Sequence, residues 1–338
     1  ALNDTSLIKK TISIAIEEGN YDSHIIYLAS VAASPITRDS CANLIRELRK
    51  NFPDQLMALC VNASHHLMPE FEKLNYPCFE DPSLTVRALA GLSHFGAAFT
   101  RDLSSSPPPT PIGMQSVPKT LMNEYEAKQI LASAEIAILH ERLVKSAGDA
   151  VAAWKQINGP VAMKIASPDI THKTDFGGVM LNVDTESKVR KTFRSLIERA
   201  RKERPDAQID GVLVAEMASN GIETMMGVIN DPVFGPAVMF GLGGTFAEIY
   251  KDITFRLAPF GIDEAYRMID EIKARAILNS FRGRPKADID TLAHALTNLS
   301  LLAHANADTI ETIDINPFIV MPKGAFAVDA VILPKSSA

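Results

Sequence analysis

PVAMKIASPDITHKTDFGGVMLNV, residues 160–183, reads as two apolar strands around a polar loop, and the nature of that loop decides what the chain is built to hold. Val161, Met163 and Ile165 alternate with Ala162, Lys164 and Ala166, which is the period of a strand, and a second strand follows at 179–183. Between them Ser167, Pro168, Asp169, Thr171, His172, Lys173, Thr174 and Asp175 lead into Gly177 and Gly178. A lysine on the strand before a glycine-containing loop suits phosphate, because an ammonium is a point charge and glycine lets backbone N–H groups come close. The same residues also read as a solvated hairpin tip, presented by its strands and not buried.

Toward the N-terminus the pattern changes. Residues 5–18 read as an amphipathic helix, followed by strand 24–31, helix 38–51, strand 55–61, helix 68–75, a short strand 76–79 and helix 83–95. Alternating helices and apolar strands predict a parallel sheet covered on both faces. The unit, residues 1–101, starts on a helix, as an incomplete sheet would, and holds no Gly-rich phosphate turn; His65 and His66 read as loop histidines. DLSSSPPPTPIGMQSVP, residues 102–118, continues neither helix nor sheet and marks a linker.

Residues 119–338 form the second body. It opens with helix 123–133, a short strand 136–139 and a helix through Trp154, then the hairpin quoted above and a charged helix 186–204. Four apolar runs, 211–217, 222–230, 237–242 and 246–250, are joined too closely for parallel crossovers and predict an antiparallel sheet. Helices 263–272 and 288–305 and strands 309–320 and 326–331 complete a mixed α and β pattern.

Composition excludes several function classes. A chain of 338 residues, 46% hydrophobic and 22% charged, is an ordinary globular protein with room for more than one core. Its net charge of −6 argues against nucleic acid as the main partner, and no apolar run reaches the ~18–20 residues of a membrane helix. Cys41, Cys60 and Cys78 form no CxxC pair and read as reduced residues of a cytoplasmic protein. The opening residues, ALNDTSLIKK, carry neither Met nor a signal pattern, which is the expectation for a fragment.

Three further stretches carry more polar chemistry than a sheet requires. Glu216 ends one strand run and Glu223 begins the next, beside Gly221. Gly241, Gly243 and Gly244 crowd a strand, where glycine is unfavourable unless a backbone or ligand must come close. In TIDINPFIVMPKGAFAVDAVI, a period of two places Asp314 and Asn316 on one face, and the turn at 322–324 returns Asp329 alongside them. Oxygen ligands without His or Cys suit Mg²⁺ shared with phosphates. Exposed edge carboxylates are the alternative, weakened by the apolar surroundings of Asp329 in FAVDAVI.

NEYEAKQILA, VAMKIASPDITHKTDFGGVMLNV, GVLVAEM, GVINDPVFGPAVMFGLGGTFAEIYKDITFRLAP and IDINPFIVMPKGAFAVDAVI resemble the ATP-grasp part of the NDP-forming acyl-CoA synthetases, relatives of the succinyl-CoA synthetase β subunit. The resemblance covers nearly all of residues 118–338. Residues 1–100 resemble, less specifically, the flavodoxin-like ligase domain that precedes ATP-grasp in fused members. The fold implied is an incomplete flavodoxin-like parallel α/β domain followed by an α+β ATP-grasp domain. By this resemblance Lys164 would hold ATP phosphates beside Gly177 and Gly178, the strand around Glu216 would meet adenine, and Glu223 would face the ribose. Asn316 and Asp329 match Mg²⁺ ligands, with Asp314 close by, and His172 matches a histidine that carries phosphate. The family reaction is acid + CoA + ATP ⇌ acyl-CoA + ADP + phosphate, through an acyl phosphate and a phosphohistidine. The chain departs from the pattern in having neither the CoA-binding domain nor a Ser-His-Thr-Gly string, so its expected partners are those domains, in cis or in trans. An oligomer is left open. Rival readings are an ATP-grasp carboxylate–amine ligase, which needs no histidine in the lysine loop, and a non-catalytic nucleotide-sensing module, against which Lys164, His172, Asn316 and Asp329 argue.

Overall fold

The structure, a computed structural model, describes residues 5–62, 68–100, 106–170, 173–174, 176–218, 221–243, 252–279 and 285–335. The chain divides into two units, residues 1–103 and 104–338. In the first, α1 (Thr5–Glu18), β1 (Ser23–Ala29), α2 (Arg38–Asn51), β2 (Leu56–Val61), α3 (Met68–Glu72), β3 (Cys78–Phe79) and α4 (Pro82–Thr100) follow one another as the alternation predicted. The three strands pair in parallel in the order β1-β2-β3. One sheet face packs Met57, Leu59 and Val61 against Leu44, Ile45 and Leu48 of α2, and Tyr76 closes the core with its hydroxyl donating to the Ile45 carbonyl at 3.1 Å. Only Thr85 of α4 is buried. His65 and His66 lie outside the described residues.

The second unit contains two sheets and two cores. α5 (Glu124–Ser133) comes first, then β4 (Glu141–Val144), α6 (Ala147–Ile157), β5 (Val161–Ala166), β6 (Val179–Val183), α7 (Glu186–Glu203) and β7 (Gly211–Glu216). These strands form a four-stranded antiparallel sheet, order β4-β7-β5-β6, and α6 and α7 bury Val151, Ala153, Phe193 and Leu196 in its core. After them come β8 (Ile222–Asp231), β9 (Gly235–Leu242), β10 (Ile253–Leu257), α8 (Ile262–Glu271), α9 (Ile289–Ala305), β11 (Ile310–Val320), β12 (Ala325–Ala327) and β13 (Ala330–Pro334). They make the six-stranded sheet β10-β9-β8-β11-β12, with β13 also on β11, and α8, α9 and the apolar side of α5 share its core.

Four expectations are corrected. The 211–217 run does not join 222–230 in one sheet: β7 pairs antiparallel with β4 and β5, because an apolar strand specifies burial and not which neighbour supplies it. Residues 136–139 form no strand, only a single bridge from Ile138 to Ala327, and the true strand is 141–144. The last strand is broken in two at Val328 and Asp329. The linker does not run free to residue 118, since Val117 is buried in the second core and its amide donates to Asn306 Oδ1 at 2.8 Å. The expected strand 246–250 lies outside the described residues.

Candidate functional site

Asn123 starts α5 with a capping box: its side chain accepts from the Glu126 amide, and the Glu126 carboxylate accepts from the Asn123 amide. The Asn123 side chain also donates to Asp210 Oδ2 at 2.8 Å, tying the helix start to the residue before β7. The next residue, Glu124, is thereby fixed in the first turn, with its carboxylate turned toward β5.

Three ammonium groups converge on that carboxylate. Lys164 lies 2.8 Å and Lys128 2.7 Å from Glu124 Oε1, and Lys173 lies 2.6 Å from Oε2. Lys128 also pairs with Glu141, while Lys164 donates to the Val328 carbonyl at 3.0 Å. At the outer end, Asp329 places Oδ2 3.5 Å from Lys164 and Oδ1 3.9 Å from Lys173. Side-chain exposure rises along this series from 0% at Lys128 and 1% at Glu124 and Glu141 to 6–7% at the other two lysines and 33% at Asp329. The cluster is dry within and wet at one edge.

Burial disfavours charge on Glu124, but Lys164, Lys128 and Lys173 outweigh it and hold the carboxyl below its ordinary range. Burial likewise opposes charge on Lys164, and Glu124 and Asp329 overcome it, raising the ammonium above the usual lysine value. Glu141 is pushed up by burial, against the pull of Lys128. Asp314, exposed as a residue, is pushed up by desolvation from the protein around its carboxyl and by the nearby charge of Asp329. A divalent cation beside Asp314 would offset that repulsion from Asp329.

The oxygen set is assembled by an interrupted strand pair. Ile315 lies opposite Ala330 and Phe318 opposite Ala327, so the one register on both sides of the break sets Asn316 level with Asp329. Proline at 317 has no N–H for the ladder; instead the Val328 amide donates to the Pro317 carbonyl at 3.0 Å. The break frees Asp329 from strand pairing at the place where Lys164 reaches it. Asp314 and Asn316 are exposed on one face of β11. Among the described residues no group of three or more His, Cys, Asp and Glu has metal-binding geometry, so a cation here would rest on two carboxylates, an amide and oxygens from elsewhere.

The other expected residues are spread around this centre. Glu216 ends β7 opposite Val161, three positions along β5 from Lys164, and its Oε1 accepts from the His140 amide. Glu223 is exposed on the six-stranded sheet, opposite Ile319, and its carbonyl accepts from the Gly243 amide at 2.8 Å. A Cβ on Gly243 would meet the Glu223 backbone at 3.0 Å, so the close approach that the glycine permits is to β8. Gly177 and Gly178 do not offer their amides outward: these donate to the carbonyls of Thr174 and Lys173 and close the loop. Among its described residues Ser167, Ile170 and Lys173 are buried while Asp169 and Thr174 are exposed, so the loop is not solvated throughout. His172 and Gly244 lie outside the described residues. Glu124, Lys128 and Glu141 were not singled out by sequence reading. The first two carried a signal, a Glu and Lys four apart on a helix; Glu141 carried none.

The family model of the ATP-grasp domain matches residues 114–333. The chain is 45% identical over 219 residues to the acetate–CoA ligase (ADP-forming) II subunit beta of Pyrococcus furiosus, covering 64% of this chain and 93% of that one. It is 32% identical over 285 residues to the acetate–CoA ligase (ADP-forming) I of Archaeoglobus fulgidus, which spans 80% of this chain but only 41% of that longer protein. Among solved structures, the dinucleotide-forming acetyl-coenzyme A synthetase 1 of Ca. Korarchaeum cryptofilum, in complex with coenzyme A, Ca-AMPCP and HgCl⁺, superimposes with a TM-score of 0.61 at 42% identity, covering 63% of this chain and 93% of that one.

Proposed function

The chain belongs to the ATP-grasp family of the ADP-forming acetate–CoA ligases, and from that premise we propose that its second unit binds Mg·ATP over the lysine cluster and transfers the γ-phosphoryl group for acid + CoA + ATP ⇌ acyl-CoA + ADP + phosphate. Lys164 and Lys173 take the phosphates, Glu216 the adenine side and Glu223 the ribose. Asn316, Asp329 and Asp314 hold Mg²⁺, which supplies charge neutralisation on the phosphate oxygens. His172 receives the phosphoryl group: a neutral ring nitrogen attacks phosphorus, the N–P bond forms as the bond to the ADP oxygen breaks, and ADP leaves with the electron pair. Residues 1–101 serve as part of the ligase domain, and the Pro/Ser-rich stretch from residue 102 serves as a linker that ends before the buried Val117. The CoA-binding and phosphohistidine-bearing domains are the partners, in the same chain or on a second subunit; the Pyrococcus relative is itself named as a subunit.

The observation that carries this reading is the pair of lysines next to the wet edge of a buried ion cluster, where both meet Asp329, itself level with Asn316 of β11. Incubation with γ-labelled ATP and Mg²⁺ should give label on the protein that survives alkali and is lost in acid, and His172→Ala should abolish it. Label that persists in that variant removes His172 as carrier. Calorimetry that finds no Mg·ATP binding by the folded chain removes the nucleotide site.

A further inference from the structure

Asp329 turns one oxygen to each of two ammonium groups, Oδ2 to Lys164 at 3.5 Å and Oδ1 to Lys173 at 3.9 Å. Both lysines already have a closer anion in Glu124, at 2.8 and 2.6 Å. The inner anion is buried and tight, the outer one is a third exposed and loose. With Glu124 and Glu141 both ionised, Lys128, Lys164 and Lys173 leave one positive charge unbalanced inside, and Asp329 is the residue that cancels it. A buried excess charge is unfavourable enough that something anionic must stand there. A carboxylate bridging two ammonium groups through separate oxygens presents the same O–X–O fork as a phosphate group.

We propose that Asp329 is an internal stand-in for the polyphosphate. It neutralises the Lys164–Lys173 pair, and an entering polyphosphate displaces it toward Asn316 and Asp314, where the same carboxylate serves the cation. This rests on the nucleotide reading above. The displacement needs no strand to come apart, because Asp329 sits in the break between β12 and β13, outside the paired ladder. It follows that a polyphosphate without a cation must compete with Asp329, whereas one arriving with a cation gives the displaced carboxylate a new partner. Cation and polyphosphate therefore bind as one unit.

The test is calorimetry of the full chain with inorganic tripolyphosphate in the absence of divalent cations, and separately with Mg·ATP. Asp329→Asn should bind metal-free tripolyphosphate about tenfold more tightly than the wild type, the scale of losing a competing, partly screened ion pair, and should bind Mg·ATP more weakly. Asp314→Asn, which removes the same charge without facing the lysines, should leave metal-free affinity much less changed. Unchanged or weaker tripolyphosphate binding by Asp329→Asn overturns the stand-in while leaving the nucleotide site intact, and so does an equal gain in Asp314→Asn. Mg·ATP binding that Asp329→Asn leaves at wild-type strength overturns the handover and the metal-ligand role together. If Asp329→Asn and Asp329→Ser both lose the folded transition, Asp329 is a structural ion-pair partner and the proposal fails.

Discussion

Lys164 Nζ lies 2.8 Å from Glu124 Oε1 with side-chain exposures of 7% and 1%, so each is a main support of the other's charge. The Lys164 side chain is 7% exposed, so the residue expected to hold phosphates is also part of the internal ion network.

Removing the shared anion should be severe. Glu124→Gln leaves Lys128 with Glu141 and the other two lysines with only the looser Asp329, and breaking one partner of a buried pair costs about 3–5 kcal/mol. Urea unfolding should show the midpoint falling accordingly. Lys164→Met should lose less, since Glu124 keeps Lys128 and Lys173. A wild-type midpoint in Glu124→Gln would mean the cluster is solvated.

The same groups set a pH window. The folded-state value of Glu124 is depressed, so its stabilisation is present above the ordinary glutamate value of ~4.3 and is lost as pH falls through the folded value. That of Lys164 is raised, so its stabilisation is present below ~10.4 and is lost as pH rises through the folded value. Glu141 and Asp314 are raised carboxyls and act oppositely on the acid side, so the difference between variant and wild type is the quantity to measure. The melting temperature of Glu124→Gln should fall less steeply below ~pH 4.3 than that of the wild type.

Gly178 positions Lys173. A Cβ there would meet the Lys173 carbonyl oxygen at 2.7 Å and the Phe176 ring at 2.7 Å, so the loop must shift. Gly178→Ala should destabilise by about 1–3 kcal/mol and weaken Mg·ATP binding in calorimetry. Loss of stability with full affinity would detach Lys173 from the phosphates.

Asn316 is exposed and level with Asp329, so it is the cleanest probe of the cation site. Asn316→Ala should leave the urea midpoint within about 0.5 kcal/mol of wild type, as surface substitutions do, and lower Mg·ATP affinity. Equal affinity would remove Asn316 from the cation site.

Much of the architecture was legible because its signals are local. The helix 38–51 and the strand 161–166 carry their own periodicity and punctuation, and the structure bounds them at Arg38–Asn51 and Val161–Ala166. Asp314 and Asn316 share a face because strand alternation requires it, and a short turn was enough to return Asp329 beside them. Strand 136–139 was misread because an apolar IAIL run is as good a core segment as a strand, and only a single bridge forms there.

The sequence by itself determined the type and order of most elements, the faces they present, and the presence of Lys164, Asp314, Asn316 and Asp329 among candidate site residues. Tertiary structure alone decided that β7 lies between β4 and β5 and that Glu124, Lys128, Glu141 and Lys173 gather around Lys164. The physical reason is that periodicity is set by a residue's neighbours in the chain, whereas strand pairing and buried ion pairs depend on what the rest of the fold excludes from water. A charge in a sequence is read as solvated until a distant counter-charge is brought to it, and Glu124 meets Lys164 only because a capped helix of one core and a strand of the other, 40 residues apart, bury their charges against each other.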